Sequence, residues 1–360
     1  MTSADVLRPA EAFPVGDYLR DELDARGWTV AQFAEILGRP VQVVSEILNG
    51  RKDITAETAA EIAAATDTEA QTWLRLQDTS RLWKLSRGPG ASKLDAVTRR
   101  ARLSALVPMP ELRRRGVVPE GDLATEERAV CELLGIPSPD VSPCFSVAAR
   151  RSDEGEPLSP PQLAWIACVR RAASSLPVRE FDAAALGDLA ASLTRTVVEP
   201  ADLERLPASL ADVGVRLVHL EPFKSSKIDG ASYIDDRGPV IALSGRIPGL
   251  DSVLFTLLHE MAHIQLGHVS HGYAIDVDLG SPAIDAREIG ADDLASRWAL
   301  SEGLAVALPA SRSKILACAQ QIGVHPAVIV GRLHHTGRLP WSHLNNLIPN
   351  VRSHLSAWAH

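Results

Sequence analysis

The chain has 360 residues, 46% of them hydrophobic, and a formal net charge of -8, which is the profile of a globular protein with room for two or three domains. It holds no apolar run long enough to cross a membrane, and its N-terminus, MTSADVLRPAEAFPVGDYLR, carries acidic residues but no apolar signal core, so a cytoplasmic location with no membrane partner is expected. The four cysteines, Cys131, Cys144, Cys168 and Cys318, are scattered without a C-x-x-C pair, which fits reduced thiols better than a disulfide framework.

In chain order, residues 15–77 predict five short helices. DYLRDELDARG ends on Gly27, and Thr29 is placed to cap TVAQFAEILG, which stops at Gly38. PVQVVSEILNG opens on Pro40 and ends at Asn49 and Gly50. Thr55 is placed to cap a fourth helix, and DTEAQTWLRLQ supplies a fifth with Trp73, Leu74 and Leu76 facing inward. The second and third helices, joined through Gly38, Arg39 and Pro40, make a helix-turn-helix pair. Its expected core is Ala31, Phe33, Ala34, Leu37, Val44, Ile47 and Leu48.

Charge then changes sign along the chain. Residues 1–80 hold 7 Lys+Arg against 14 Asp+Glu, and residues 81–115 hold 10 against 2. Such a basic stretch either meets nucleic-acid phosphates or pairs with acidic groups of the same chain. From 120 to 205 three helices are expected, in TEERAVCELLGI, SPPQLAWIACVRRAASSL and DAAALGDLAASLTRTV, with Arg150 and Arg151 on a solvated surface and no catalytic pattern.

Residues 206–250 switch to β-branched segments: VGVRLVHLEPF, GASYIDDRG and PVIALSGR predict three strands, with DDRG as a hairpin turn. ASYI (231–234) and VIALS (240–244) are the expected edge strand that would hold an extended peptide. The helix that follows contains His259, Glu260 and His263. This H-E-x-x-H spacing puts two imidazoles one turn apart on one helix face, where they can share a Zn²⁺ with Glu260 beside it. A catalytic zinc uses three protein ligands. His268 is one residue short of the place a third histidine takes in the longer motif. Downstream, Glu288 and Asp292 stand four apart on REIGADDLASRWAL, a spacing that suits a glutamate ligand with an aspartate on the outer nitrogen of a ligating histidine. Asp276, Asp278 and Asp285 are lesser alternatives. His325, His334, His335 and His343 near the C-terminus read mainly as surface or packing residues.

Two family resemblances follow from these residues. The run from GWTVAQFAEILG through SEILNGRKDITAETA to TWLRLQ resembles the XRE-type helix-turn-helix domain of the HigA antitoxin family. That resemblance implies binding of DNA, with Arg39, Gln42, Ser45, Asn49, Arg51 and Lys52 able to reach bases or phosphates. PVIALS, FTLLHEMAHIQLGH and the later E-x-x-A-D-x-L-A resemble the ImmA/IrrE family of metallopeptidases over roughly residues 210–310. This implies Zn²⁺ as cofactor, His259, His263 and Glu288 as ligands, Glu260 as general base, and Asp292 in place of the usual Asn.

The expected fold is mainly α with a small β-sheet. Residues 1–80 form a five-helix XRE-type domain, 81–205 a basic linker and helical middle, 206–310 an α+β zincin-like (gluzincin-type) domain, and 311–360 a helical extension. The function so implied is a transcription regulator whose zinc-dependent endopeptidase domain cleaves a protein substrate, a repressor or antitoxin, under stress. The alternative is a HigA-type antitoxin or autorepressor that binds DNA and a toxin or ligand without proteolysis. A homodimer is the expected assembly.

Overall fold

The computed structural model describes residues 11–143, 147–150, 158–269, 273–277, 286–300 and 310–358; the chain divides into two compact units, Met1–Arg100 and Ala101–His360. The first holds α1 (Val15–Arg26), α2 (Val30–Ile36), α3 (Val41–Leu48), α4 (Ala56–Thr66) and α5 (Ala70–Arg87). The expected caps form. Gly27 ends α1 at φ 68, Thr29 and Gln32 make a reciprocal capping box on α2, and the Thr55 side chain accepts from the Thr58 N–H. Phe33, Ala34, Val44, Ile47 and Leu48 are buried with Leu19, Leu23, Ile62 and Trp73, and Leu37 packs against them.

Two expectations fail in this unit. Ala31 is exposed, because the inward stripe of α2 is Phe33, Ala34 and Leu37, and Ala31 lies off it. The boundary at residue 80 falls inside α5, which continues to Arg87; the sequence SRLWKLSR offers no Pro or Gly to stop a helix before Gly88.

The second unit takes up the end of α6 (Gly90–Leu106), then α7 (Met109–Arg114), α8 (Leu123–Leu134), β1 (Val147–Arg150), α9 (Pro160–Ser174), α10 (Ala183–Thr196) and α11 (Leu206–Asp212). Next come β2 (Arg216–His219), β3 (Ile228–Asp235), β4 (Gly238–Leu243), α12 (Leu250–Gln265), β5 (Tyr273–Val277) and α13 (Ala286–Ala299). It closes with α14 (Arg312–Ile322), α15 (Pro326–His335) and α16 (Arg352–Leu355).

The five strands form one mixed sheet in the order β1-β5-β3-β4-β2. The β3–β4 hairpin turns at Asp236 and Arg237, as DDRG predicts. The edge-strand expectation is overturned: β3, which carries ASYI, is paired antiparallel to both β4 and β5, and β4, which carries VIALS, is paired to both β3 and β2. The reason is β5, a strand from beyond the histidine helix that pairs with β3 on the side away from β4.

Alternation along the strands sends side chains to two apolar layers. Ile241 and Leu243 join Leu217 and residues of α10, α12, α14 and α15, whereas Val240 and Ala242 join Val218, Tyr233 and residues of α8 and α9. A three-strand sheet with one helix could not have buried both of its faces. From residue 101 onward, segments assigned separately to 81–205, 206–310 and 311–360 therefore share two cores and form one unit. Cys131, Cys168 and Cys318 are free thiols; Cys144 and Arg151 lie outside the described residues. No helix among the described residues is long and apolar enough to cross a membrane.

Candidate functional site

α12 is apolar almost all round, with Val253, Leu254, Leu257, Leu258, Met261 and Ile264 buried, as befits a helix at the centre of a core. Within it His259, Glu260 and His263 are also buried, at 0%, 0% and 1% exposure. Ionisable groups do not stay in such a place unless something there compensates them. The compensation comes from α13. Glu288 Oε2 lies 3.2 Å from His259 Nε2 and 3.5 Å from His263 Nε2, and the two Nε2 atoms are 2.9 Å apart.

Three donor atoms converging in this way fit a zinc ion. Ligand bonds of about 2.0–2.1 Å at tetrahedral angles place donor atoms roughly 3.3 Å from one another, close to the 2.9–3.5 Å seen here. His259, His263 and Glu288 are the one group of three or more potential ligands found among the described residues. Burial pushes the Glu288 carboxyl up, but His259 and His263 together outweigh it and hold the group below the usual carboxylate range.

The neighbours of the cluster favour the same nitrogen atoms as ligands. Asp292 Oδ1 lies 2.9 Å from His259 Nδ1; a carboxylate there favours the tautomer that leaves the Nε2 lone pair exposed toward Glu288. His268 Nδ1 is 3.0 Å from His263 Nδ1, so His268 meets the outer nitrogen of His263 and stands outside the donor triangle. Asp276 falls on β5, and Asp278 and Asp285 lie outside the described residues.

Gly230 packs against the candidate site at a position that motif reading missed. A Cβ placed there would sit 2.3 Å from Glu260 Oε1 and 2.9 Å from Thr256 Cγ2, so the Glu260 carboxylate rests on bare β3 backbone. The sheet register shifts between Ile228 and Gly230, and the bend is tied down by the Arg246–Asp229 pair at 2.7 and 2.8 Å and by Ser244 Oγ donating to Ile228 O. A glycine inside a strand pattern, six residues before the hairpin turn at Asp236, was the available signal. Phe255 is the second addition: its ring centroid lies 6.3 Å from that of His259 and 5.1 Å from that of His335, which packs against it.

The six residues expected to face DNA are used differently. Arg39 is bound by Glu61, its Nε 2.5 Å from Oε2 and its second nitrogen 3.0 Å from Oε1, so it staples α2–α3 to α4 and does not extend toward a base. Gln42 donates to Glu46, and Asn49 donates to the carbonyl of Ser45 while accepting from Arg20. Arg51 and Lys52 are exposed. Val41, at the start of α3, is also exposed. The outer face of α3 is therefore sparse in cations, with Arg20 on Asn49 at its end and the exposed Arg51 and Lys52 just beyond it.

The basic stretch divides between the two readings open to it. Arg81 pairs with Asp53, Arg99 with Asp95, Arg102 with Asp140, Arg113 with Glu126, and Arg114 and Arg115 with Glu111. The Arg114 and Arg115 guanidiniums hold Glu111 at about 2. Lys84, Arg87, Lys93 and Arg100 are exposed.

Residues 19–73 match the helix-turn-helix family, which makes the first unit an XRE-type helix-turn-helix domain. Among solved structures the chain is similar to an addiction module antidote protein of a HigA family from Coxiella burnetii. The identity is 31% over 23% of this chain and 90% of that one, with a TM-score of 0.22. It is also similar to the antitoxin GraA, at 26% identity over 24% and 95% with a TM-score of 0.23. A third is a putative antidote protein of a plasmid maintenance system from Nostoc punctiforme, at 29% over 25% and 97% with a TM-score of 0.23. No curated protein matches the chain.

Proposed function

From an XRE-type helix-turn-helix domain followed by a buried His–His–Glu cluster, we propose a DNA-binding transcription regulator whose second unit is a zinc-dependent endopeptidase. Its substrate class is a regulatory protein, a repressor or antitoxin, cleaved in a stress response. One observation carries the enzymatic half: two imidazole nitrogens and a carboxylate oxygen meet within 3.5 Å, and a fourth ionisable group, Glu260, is buried beside them against a glycine backbone. A binding module has no need of that fourth group.

His259, His263 and Glu288 would hold the zinc, which when bound supplies Lewis acidity that polarises a carbonyl and acidifies water. Glu260 takes the proton of the attacking water on its carboxylate and later delivers it to the leaving amine nitrogen. Gly230 sets the position of that carboxylate, and Asp292 and His268 hold the two imidazoles in orientation. The wall of Leu257, Leu258 and Met261 excludes bulk water, which strengthens each of these contacts.

A second reading rests on the pairing of β3 and β4 on both sides, which leaves neither strand an edge for an extended peptide. On that reading the second unit binds a toxin or ligand and cuts nothing, as an antitoxin or autorepressor would. Glu260→Gln separates the two. The variant should keep its zinc and trap an uncleaved protein that the parent chain degrades; the comparison is by metal analysis and quantitative proteomics of stressed and unstressed cells. Full complementation of a deletion by Glu260→Gln in every condition that gives a phenotype would sink the endopeptidase reading.

A further inference from the structure

Residues of α12, α13 and α15 and of the end of β4 enclose a cavity of about 430 Å³, inside the ~300–1,000 Å³ range of ligand pockets. Its lining includes none of His259, Glu260, His263 and Glu288, so it is a place apart from the candidate metal centre. Leu243, Val253, Leu254, Phe255 and Val328 make an apolar wall.

The charged side chains set into that wall are of two kinds. Three are committed within the fold: Asp229 and Arg246 hold each other in a two-point pair at 2.7 and 2.8 Å, and Asp292 Oδ1 faces His259 Nδ1 at 2.9 Å. Two are not. Arg332 donates to the neutral hydroxyl of Ser296 at 2.7 Å, and Asp251 accepts from the backbone N–H groups of Ser252 and of its own residue. Neither has an ion-pair partner among the described residues. The two are neighbours through α15: a Cβ on Gly331 would lie 2.8 Å from Asp251 Cβ and 3.0 Å from its Oδ2, and Arg332 is the next residue.

Burial raises the Asp251 carboxyl above its ordinary value, and an ammonium brought beside it would restore the charged form. A simple anion would satisfy Arg332 and leave Asp251 unmet, a simple cation the reverse, and an apolar molecule would meet neither. A zwitterion meets both. We propose that this cavity binds a free α-amino acid with an apolar side chain of the size of leucine or phenylalanine. Its carboxylate meets Arg332, its ammonium meets Asp251, and its side chain leaves water along the apolar wall. This goes beyond the endopeptidase reading and holds equally for a regulator that cuts nothing. Asp292 lines the cavity and faces His259, so the bound amino acid lies one side chain away from the metal centre.

The test titrates the full chain by calorimetry, with and without added zinc. The probes are leucine, phenylalanine, alanine, isocaproate, which is leucine without its amino group, and isoamylamine, which is leucine without its carboxylate. Leucine and phenylalanine should bind, and the other three should bind on the order of 10-fold or more weakly, whether or not zinc is present. Asp251→Asn should weaken leucine to the level of isocaproate and leave isocaproate unchanged. Arg332→Gln should weaken leucine to the level of isoamylamine and leave isoamylamine unchanged. Retained binding of the analogue shows that each variant has folded. The proposal is overturned if no protein amino acid binds at millimolar concentration, or if leucine binds only with zinc, which marks coordination of the metal. It is overturned equally if leucine binding survives both substitutions, or if leucine within a peptide binds as tightly as free leucine, which marks a pocket for polypeptide. A chain that takes up no zinc and binds leucine in this pattern overturns the endopeptidase reading alone.

Discussion

The helices α3 and α12 make an informative pair, because each carries a motif and each was assigned a set of contacting residues. On α12 the motif residues are buried and converge on one point with α13. On α3 and its flanks the assigned residues are at the surface or partly so, and several spend their polar groups within the first unit, Arg39 on Glu61 and Asn49 on Ser45 and Arg20. The difference lies in the cost of an unmet polar group. In a core an unmet ionisable group is expensive, so its partners must be present in the fold. At a surface water satisfies it, and a motif places few demands on the neighbours.

The largest effects should therefore come from the centre held by α12 and α13. His263→Ala and Glu288→Ala should abolish stoichiometric zinc in the purified chain, measured by metal analysis. Asp292→Ala and His268→Ala, which remove only the outer contacts of the histidines, should weaken zinc roughly 10–100-fold without emptying the site at saturating metal. A full metal complement in Glu288→Ala with loss in His268→Ala would reverse the assignment of the third ligand.

Gly230→Ala ranks next, and it separates positioning from ligation. The new methyl group would overlap Glu260 Oε1 and displace the carboxylate, while none of the three donor atoms is touched. Zinc content should be unchanged and substrate cleavage should fall about 100-fold, the scale expected for a misplacement of about 1 Å. Equal loss of zinc and cleavage would mean that Gly230 supports the helix as a whole.

What was legible in the sequence follows the same division. His259, Glu260 and His263 are fixed by spacing on one helix, and Glu288 and Asp292 by spacing on another; the structure brings both sets together. Gly230 and Phe255 were not legible as part of the site, since their part depends on where a strand and a helix cross. β5 was missed because YAIDV follows the histidine helix with no hairpin signal, and its pairing with β3 is long-range. That miss turned two inner strands into a supposed edge. In the first unit the caps at Gly27, Thr29 and Thr55 were legible because each depends on neighbours within a few residues, whereas the pairing of Arg39 with Glu61 spans two helices.

For the surface of the first unit the expected effects are smaller. Arg51→Ala and Lys52→Ala should each reduce the salt dependence of DNA binding by about one in the log–log slope, as loss of a phosphate contact does, read by fluorescence anisotropy across ionic strengths. Arg39→Ala should leave that slope unchanged and lower thermal stability instead, by under about 1 kcal/mol because water screens a pair this exposed. A change of slope with Arg39→Ala would return it to the DNA-facing set.

The smallest effect sharpens the contrast between surface and core through pH. Glu61 is held below its usual range by its hydrogen bond to Arg39, so its contribution to stability is present above the unfolded-state value and is lost as pH falls toward the folded one. Asp251, at the start of α12, is pushed the other way, first by burial and against the pull of Ser252 and His334. A carboxyl raised by folding stabilises the fold at low pH and loses that contribution as pH rises through its folded value. At neutral pH its charge is a burden, made greater by the close approach of Gly331, where a Cβ would lie 2.8 Å from that of Asp251. Asp251→Asn should accordingly raise the melting temperature at pH 7 by about 2 °C, and the gain should vanish near pH 4. Glu61→Gln should lower the melting temperature at pH 7 by a similar amount or less, and that loss should also close in acid. The two variants thus shift in opposite directions from a common acid baseline, and shifts of the same sign at pH 7 would show that burial is not what governs Asp251.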